Sequence, residues 1–223
     1  MERALERVPA ELIERVARRY ATVSARMYAK GKLGNDPVAA QLLTLAGVDG
    51  LGRVVDVGCG RGQMGLLLLE AGKATSVRGF DWDAPKVADG NRAAAANPAF
   101  AAVYEAGDLR THPIPPCDTL LLLDVLHYLT DVQQAALMDR IARADARTIL
   151  VRELDPDRGW RSFTTRAQEA VTTFVGYNVG ERVRVRPIRD VTTALEAAGY
   201  VVRVDPSWGS TPFANVAITA TRG

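Results

Sequence analysis

Val54-Val55-Asp56-Val57-Gly58-Cys59-Gly60-Arg61-Gly62 reads as a short apolar strand that runs straight into a glycine-rich turn. The residues that follow, Gln63 to Leu69, have the length of a helix, and Gly72 is placed to cap its C-terminal end. Three glycines at alternate positions allow a tight turn and the close approach of a ligand that side chains would displace. The stretch therefore predicts the first strand, loop and helix of a nucleotide-binding α/β unit.

Spacing narrows the choice of nucleotide. A G-x-G-x-x-G dinucleotide fingerprint needs its third glycine at position 63, where the chain has Gln63; the glycine comes one residue early, at Gly62. The loop has no lysine, which excludes a G-x-x-x-x-G-K-[ST] phosphate loop. Asp56, in the strand end, suits a ligand with a cationic centre and an amino group better than it suits a phosphate.

Further elements follow in order. Thr75 to Phe80 is a second strand that ends in Asp81-Trp82-Asp83-Ala84-Pro85. Asp81 lies about 20 residues beyond the glycine loop, the separation at which a carboxylate meets ribose hydroxyls, while Asp83 is placed to cap the next helix. A third strand, Ala102 to Glu105, leads into Gly107-Asp108-Leu109. Asp118 to Leu129 opens with a continuous apolar run, the mark of a central strand buried on both faces. Its end, Asp124 to Tyr128, then falls at the edge where open α/β sheets bind ligands.

Taken together, these four stretches resemble the motifs of class I S-adenosylmethionine-dependent methyltransferases. The resemblance implies a cofactor site made by Asp56, Gly58, Cys59 and Gly60, with Asp81 on the ribose and Trp82 flanking the adenine. It also implies Asp108 on the adenine amino group with Leu109 beside it, and Asp124 at the fourth-strand motif. An exposed turn aspartate is the alternative for Asp108. The paired glycines that the family carries before strand five are missing; Ala144 to Arg147 stands there.

Upstream, Leu12, Ile13, Val16, Ala17, Tyr20, Val23 and Met27 recur at helical spacing and predict an amphipathic opening helix. A turn is expected at Gly31 to Pro37, then a short helix to Ala46. In the family such helices fold over the cofactor, which would bring Tyr28, Lys30 and Lys32 toward its methionine carboxylate; solvated lysines are the alternative.

Downstream, Thr130 and Gln133 form a capping box, and strand five, Thr148 to Leu154, presents Glu153 and Asp155 to the ligand edge. Asp157 to Pro187 is an insertion whose Phe163, Ala167, Ala170, Val171, Phe174 and Val175 share a helical face, either as core or as a lid over the acceptor. Arg182, Arg184 and Arg186 alternate with Val183 and Val185 as in a half-buried strand, facing an anionic acceptor or solvent. Asp190 starts the last helix, which ends at Gly199. Tyr200 to Val204 and Phe213 to Thr221 pair as a hairpin, with Ser207, Trp208, Ser210, Thr211 and Phe213 as secondary acceptor-pocket candidates.

The expected fold is α/β, a Rossmann-like doubly wound sheet of seven strands with an antiparallel last strand, plus N-terminal helices. Residues 1–47 are expected to form a helical cap and 48–223 the S-adenosylmethionine-binding domain, with a lid insertion at 157–187. The 223 residues, 48% of them hydrophobic, suffice for one such core. The net charge of +2 gives no reason to expect a nucleic-acid partner. No apolar run reaches the roughly 18 residues of a membrane span, and Met1 to Tyr20 has no signal-peptide core, so a cytoplasmic location is expected. Cys59 and Cys117 make no disulfide framework. The cysteines, with His112 and His127, lack metal-site spacing, so no metal is expected.

The expected activity is transfer of a methyl group from S-adenosylmethionine, leaving S-adenosylhomocysteine, to a small, partly apolar acceptor at a hydroxyl, a carboxyl or an aromatic carbon. His127 follows strand four, and histidine as a residue type ordinarily titrates near neutral pH, which makes it the candidate base; Tyr128 and Glu153 stand in reserve and His112 is read as incidental. Structural or cofactor-lining roles are the alternatives for His127. Two other functions stay open on sequence alone: a non-catalytic S-adenosylmethionine-binding domain and an NAD(P)-dependent oxidoreductase.

Overall fold

Alternating apolar strands and helices give the chain its layers. The computed structural model describes residues 7–157, 184–209 and 214–222. Seven strands form one mixed sheet in the order β3-β2-β1-β4-β5-β7-β6: β1 (Arg53–Val57), β2 (Ser76–Asp81), β3 (Ala102–Ala106), β4 (Thr119–Leu123), β5 (Thr148–Leu154), β6 (Val201–Pro206) and β7 (Asn215–Thr221). β1 pairs with β2 and β2 with β3 in parallel. β7 runs antiparallel to both β5 and β6. The expected seven-stranded sheet with its reversed last strand is therefore present. Two compact units make up the chain, Met1–Leu121 and Leu122–Gly223.

In the first unit, Val54, Val55, Val57, Val77 and Phe80 are buried on the two faces of the sheet, Val77 lying against Gly65 of α4 (Gln63–Glu70), whose Leu66, Leu67 and Leu68 are fully buried. α5 (Ala84–Ala95) follows β2, with Asp83 accepting from Lys86 N at 3.0 Å as its N-cap. Three helices precede the sheet: α1 (Ala10–Arg18), α2 (Val23–Asn35) and α3 (Pro37–Ala46). The single opening helix expected from Leu12 to Met27 is thus two, because Thr22 interrupts it and caps α2, accepting from Ala25 N at 3.2 Å.

The expected turn at Gly31 to Pro37 shrinks to its last two residues. Gly31 and Gly34 lie inside α2, and a Cβ at Gly34 would make an ordinary contact with Ile13 Cδ1 at 3.5 Å. Asp36 does the turning. It is the C-cap of α2 and the N-cap of α3, accepting from Val38 N at 3.1 Å and pairing with Lys32 Nζ at 2.6 Å, and Pro37 starts α3.

In the second unit, Ile149, Val151, Val216, Ile218 and Ala220 fill the strands, while α6 (Asp131–Ala142) contributes Leu137 and Ile141 and α7 (Ile188–Ala197) Leu195. Thr130 and Gln133 form the expected capping box on α6. Asp145 holds φ +55 in the turn before β5 and takes the left-handed conformation for which glycine is usual. Residues 184–187 are irregular, so the described part of the predicted arginine strand is not a strand. Arg186 instead pairs with Asp190 at 2.8 Å, and α7 begins at Ile188, two residues ahead of Asp190. The predicted lid helix face (Phe163, Ala167, Ala170, Val171, Phe174, Val175), Arg182, Val183, Ser210, Thr211 and Phe213 lie outside the described residues.

Candidate functional site

The first unit gathers its chemistry at the ends of β1 and β2. Asp56, the fourth residue of β1, is 3% exposed. Burial and the neighbouring Asp81 push its carboxyl up to about 7. No hydrogen bond to that carboxyl is formed among the described residues. The chain then turns through Gly58, Gly60 and Gly62 at φ +80, +54 and +70. Gly58 N and Cys59 N donate to Phe80 O at 2.8 and 3.2 Å, which ties the loop to β2.

The three glycines differ in purpose. A Cβ at Gly60 would meet nothing within 4 Å, so that side of the loop is open. A Cβ at Gly62 would lie 2.3 Å from Tyr104 Cζ, within the ring that supports the loop from below. Tyr104 OH donates to Gly62 O at 3.0 Å. The ring also occupies the Cβ positions of Gly79 and Gly90, at 2.8 and 3.1 Å from the nearest ring carbons. Tyr104 escaped the sequence reading; its only signal was an aromatic residue in a short strand.

Asp81 is held at the tip of β2 by backbone donors. Its Oδ2 accepts from Gly60 N at 2.8 Å and its Oδ1 from Asp83 N at 2.9 Å. Two backbone donors fix the carboxylate beside the open face of Gly60, and each oxygen keeps a lone pair for a hydroxyl donor. Trp82, 64% exposed, follows directly. Cys59 turns its side chain down against Gly79, 2.8 Å from the Cβ position there, which leaves only its backbone at the loop surface. Asp108 holds its own turn: Arg110 N and Nε donate to its Oδ1 at 2.9 Å and Nη2 to its Oδ2 at 2.6 Å. Leu109 beside it is partly exposed. His112 is no loop bystander, since its ring packs 4.4 Å from Phe80.

The N-terminal helices grip the same loop. Tyr20 OH donates to Arg61 O at 2.9 Å, and the Arg61 guanidinium lies 5.2 Å from the Tyr28 ring centroid while pairing with Asp89 at 3.1 Å. Tyr28 thus lies beside Arg61 of the loop. The two lysines are engaged elsewhere, Lys30 with Glu14 and Lys32 with Asp36, both at 2.6 Å.

In the second unit, two adjacent β5 residues hold the segment after β4. Glu153 Oε1 lies 2.6 Å from His127 Nδ1 and accepts from Leu154 N at 2.8 Å; Oε2 accepts from His127 N at 3.3 Å. Both side chains are buried. A neutral imidazole that donates Nδ1–H to Glu153 carries its lone pair on Nε2. Tyr128 packs on the same ring at 4.3 Å. The other member, Arg152, is 4% exposed and donates from Nη1 to Asp124 Oδ2 at 2.8 Å. Asp124 itself holds φ +59, a conformation uncommon outside glycine. Sequence reading found His127 and Asp124 but missed Arg152, although a charge inside an apolar strand run was its signal.

Residues 54–146 match a family model described as a methyltransferase domain. Among solved structures, the chain is similar to magnesium protoporphyrin IX methyltransferase from Synechocystis PCC 6803 with bound SAH, at 21% identity over 94% of this chain and 93% of that one, TM-score 0.64. An O-methyltransferase family protein from Burkholderia thailandensis aligns at 15% identity over 92% and 62% of the two chains, TM-score 0.62. An O-methyltransferase family 2 protein from Planctomyces limnophilus in complex with apigenin aligns at 17% over 91% and 67%, TM-score 0.59. No curated protein sequence gives a match.

Proposed function

We propose that this chain, whose residues 54–146 match a methyltransferase domain, is a class I S-adenosylmethionine-dependent enzyme that methylates a small, partly apolar acceptor at a hydroxyl, a carboxyl or an aromatic carbon. The observation that carries the reading is the group at the tips of β1 and β2: a buried Asp56 carboxyl without a donor, Asp81 fixed by Gly60 N, and the open side of Gly60. These residues fit a ligand that brings an amino group and ribose hydroxyls. Asp56, the backbone of Gly58, Cys59 and Gly60, Asp81 and Trp82 would hold it, with Asp108, Leu109, Asp124 and Tyr28 as further contacts. Two of the similar structures support a small-molecule acceptor, one a magnesium protoporphyrin IX methyltransferase and the other in complex with apigenin. Among the described residues no helix is long and apolar enough to cross a membrane.

When bound, S-adenosylmethionine supplies an electrophilic methyl on a sulfonium centre. The chain's own contribution is alignment and proton handling. His127 takes the acceptor proton at Nε2, and Glu153, bonded to Nδ1, holds the ring and stabilises the imidazolium that results. A carboxylate acceptor needs no such base, whereas a hydroxyl does.

The test is calorimetric titration with S-adenosylmethionine, S-adenosylhomocysteine and NAD(P), followed by an acceptor screen with labelled methyl groups. Binding of the first two alone, with label transferred to a small molecule, is the expected outcome. Binding of NAD(P) alone, or label delivered only to macromolecules, would overturn it.

A further inference from the structure

Gln63 is the first residue of α4 and is 6% exposed, yet its Oε1 has no hydrogen-bond partner. A buried acceptor left without a donor costs on the order of 1–3 kcal/mol. Native structures tolerate such an atom mainly where something else is meant to meet it. Position 63 directly follows the Gly58–Gly62 loop, and Asp56 stands two residues before it. Both side chains are buried and both can accept a hydrogen bond, and among the described residues Gln63 Oε1 receives no donor.

The surroundings favour one end of the cofactor over the other. Gln63, Leu67 and Glu70 share a face of α4, and Glu70 meets Arg15 and Arg19 on that face. Gln63 is therefore on the side covered by the N-terminal helices, which reach the loop through Tyr20 and Tyr28. Adenosine belongs instead to the β2 side, with Asp81 and Trp82. The N-cap of α4 is Gly62, which offers no side-chain cap, so the first N–H groups of the helix are available to an anion. An α-amino acid presents both signs at one carbon: a carboxylate for those N–H groups and an ammonium for acceptors.

We propose that Gln63 is a binding residue for the amino-acid end of S-adenosylmethionine, with Oε1 accepting a hydrogen bond from the α-ammonium group. This rests on the cofactor reading above and adds a second acceptor to Asp56. Gln63 thereby discriminates between ligands that carry the amino acid and those that carry only the adenosine thioether.

Calorimetry on the full-length protein separates the possibilities, with S-adenosylhomocysteine and 5′-methylthioadenosine as probes. Q63M keeps the length of the side chain and removes the acceptor. It is expected to raise the Kd for S-adenosylhomocysteine about tenfold or more, the effect of losing one hydrogen bond to a charged group, and to leave the Kd for 5′-methylthioadenosine unchanged. Q63E keeps the acceptor and is expected to stay within about threefold of the wild type for both. Equal S-adenosylhomocysteine affinity in Q63M and wild type would overturn the proposal, and so would a parallel loss of both ligands, which marks a residue that only supports the loop. Should Q63M fail to fold, deaminated S-adenosylhomocysteine on the wild type and Q63E takes its place: the amino group must matter to both proteins. Failure of the wild type to bind either probe would instead overturn the cofactor reading, and this inference with it.

Discussion

Tyr104 donates its phenol proton to Gly62 O at 3.0 Å, and the same ring fills the space that a side chain at position 62 would need. The third glycine of the loop therefore serves the protein's own packing, while Gly60 faces open space. Tyr104→Phe is expected to cost about 1 kcal/mol of stability through the lost hydrogen bond, and Tyr104→Ala about 3–5 kcal/mol through the cavity. Gly62→Ala meets both the ring and a φ of +70, and is expected to destabilise more than Gly60→Ala. Urea denaturation of the four variants gives the order.

Asp56 makes the unliganded protein and its complex respond oppositely to pH. Burial and Asp81 raise its carboxyl from 3.8 to about 7. Because the folded value lies above the unfolded one, the group stabilises the fold below about pH 4, and this contribution is lost as pH rises toward 7. A cationic ligand needs the ionised form, so cofactor affinity is expected to rise from pH 6 to pH 8. Asp56→Asn should raise the melting temperature of the unliganded protein at pH 8, remove that pH dependence and weaken S-adenosylhomocysteine binding. Thermal melts and titrations at the two pH values check each part.

Local signals were readable where one residue decides the geometry. The β1–loop–α4 unit, the Asp83 cap, the Thr130–Gln133 box and β5 all rest on such residues, and all are present. Long-range relations were not readable in this way. Nothing near Gly62 says that its space belongs to Tyr104, 42 residues on. Nothing near His127 says that Glu153 will hold its Nδ1, since that pairing depends on which strand lies beside the turn. The break at Thr22 was misread because apolar spacing continued across it, although the cap residue itself was visible. Gly31 and Gly34 misled for the converse reason: glycine signals a turn by default, and here both lie inside α2.

The His127–Glu153 pair predicts a split between chemistry and cofactor binding. His127→Gln is expected to lower kcat by about 10²–10⁴-fold for an acceptor that must lose a proton. Its S-adenosylhomocysteine Kd should stay near that of the wild type. Glu153→Gln keeps the shape but puts an amide where a carboxylate accepts from Nδ1 and two backbone N–H groups, so kcat should fall by a smaller factor. Single-turnover methyl transfer, paired with calorimetry, separates the two effects. Equal losses of kcat and cofactor affinity in His127→Gln would remove His127 from the role of base.

Asp124 and Arg152 predict an asymmetry between two substitutions at one position. Asp124 holds φ +59 while its carboxylate accepts from buried Arg152. Asp124→Gly relieves the backbone strain and loses the ion pair, whereas Asp124→Ala loses the pair and keeps the strain. The alanine variant is therefore expected to be less stable than the glycine variant by about 1 kcal/mol. Arg152→Met removes the guanidinium and leaves a carboxylate that is only partly exposed, with a cost approaching the 3–5 kcal/mol of a broken buried pair. Adding Asp124→Asn to Arg152→Met should recover part of that loss, because the remaining group is neutral. Denaturation of the single and double variants measures the coupling directly. Additive losses would mean that Arg152 supports β5 independently of Asp124.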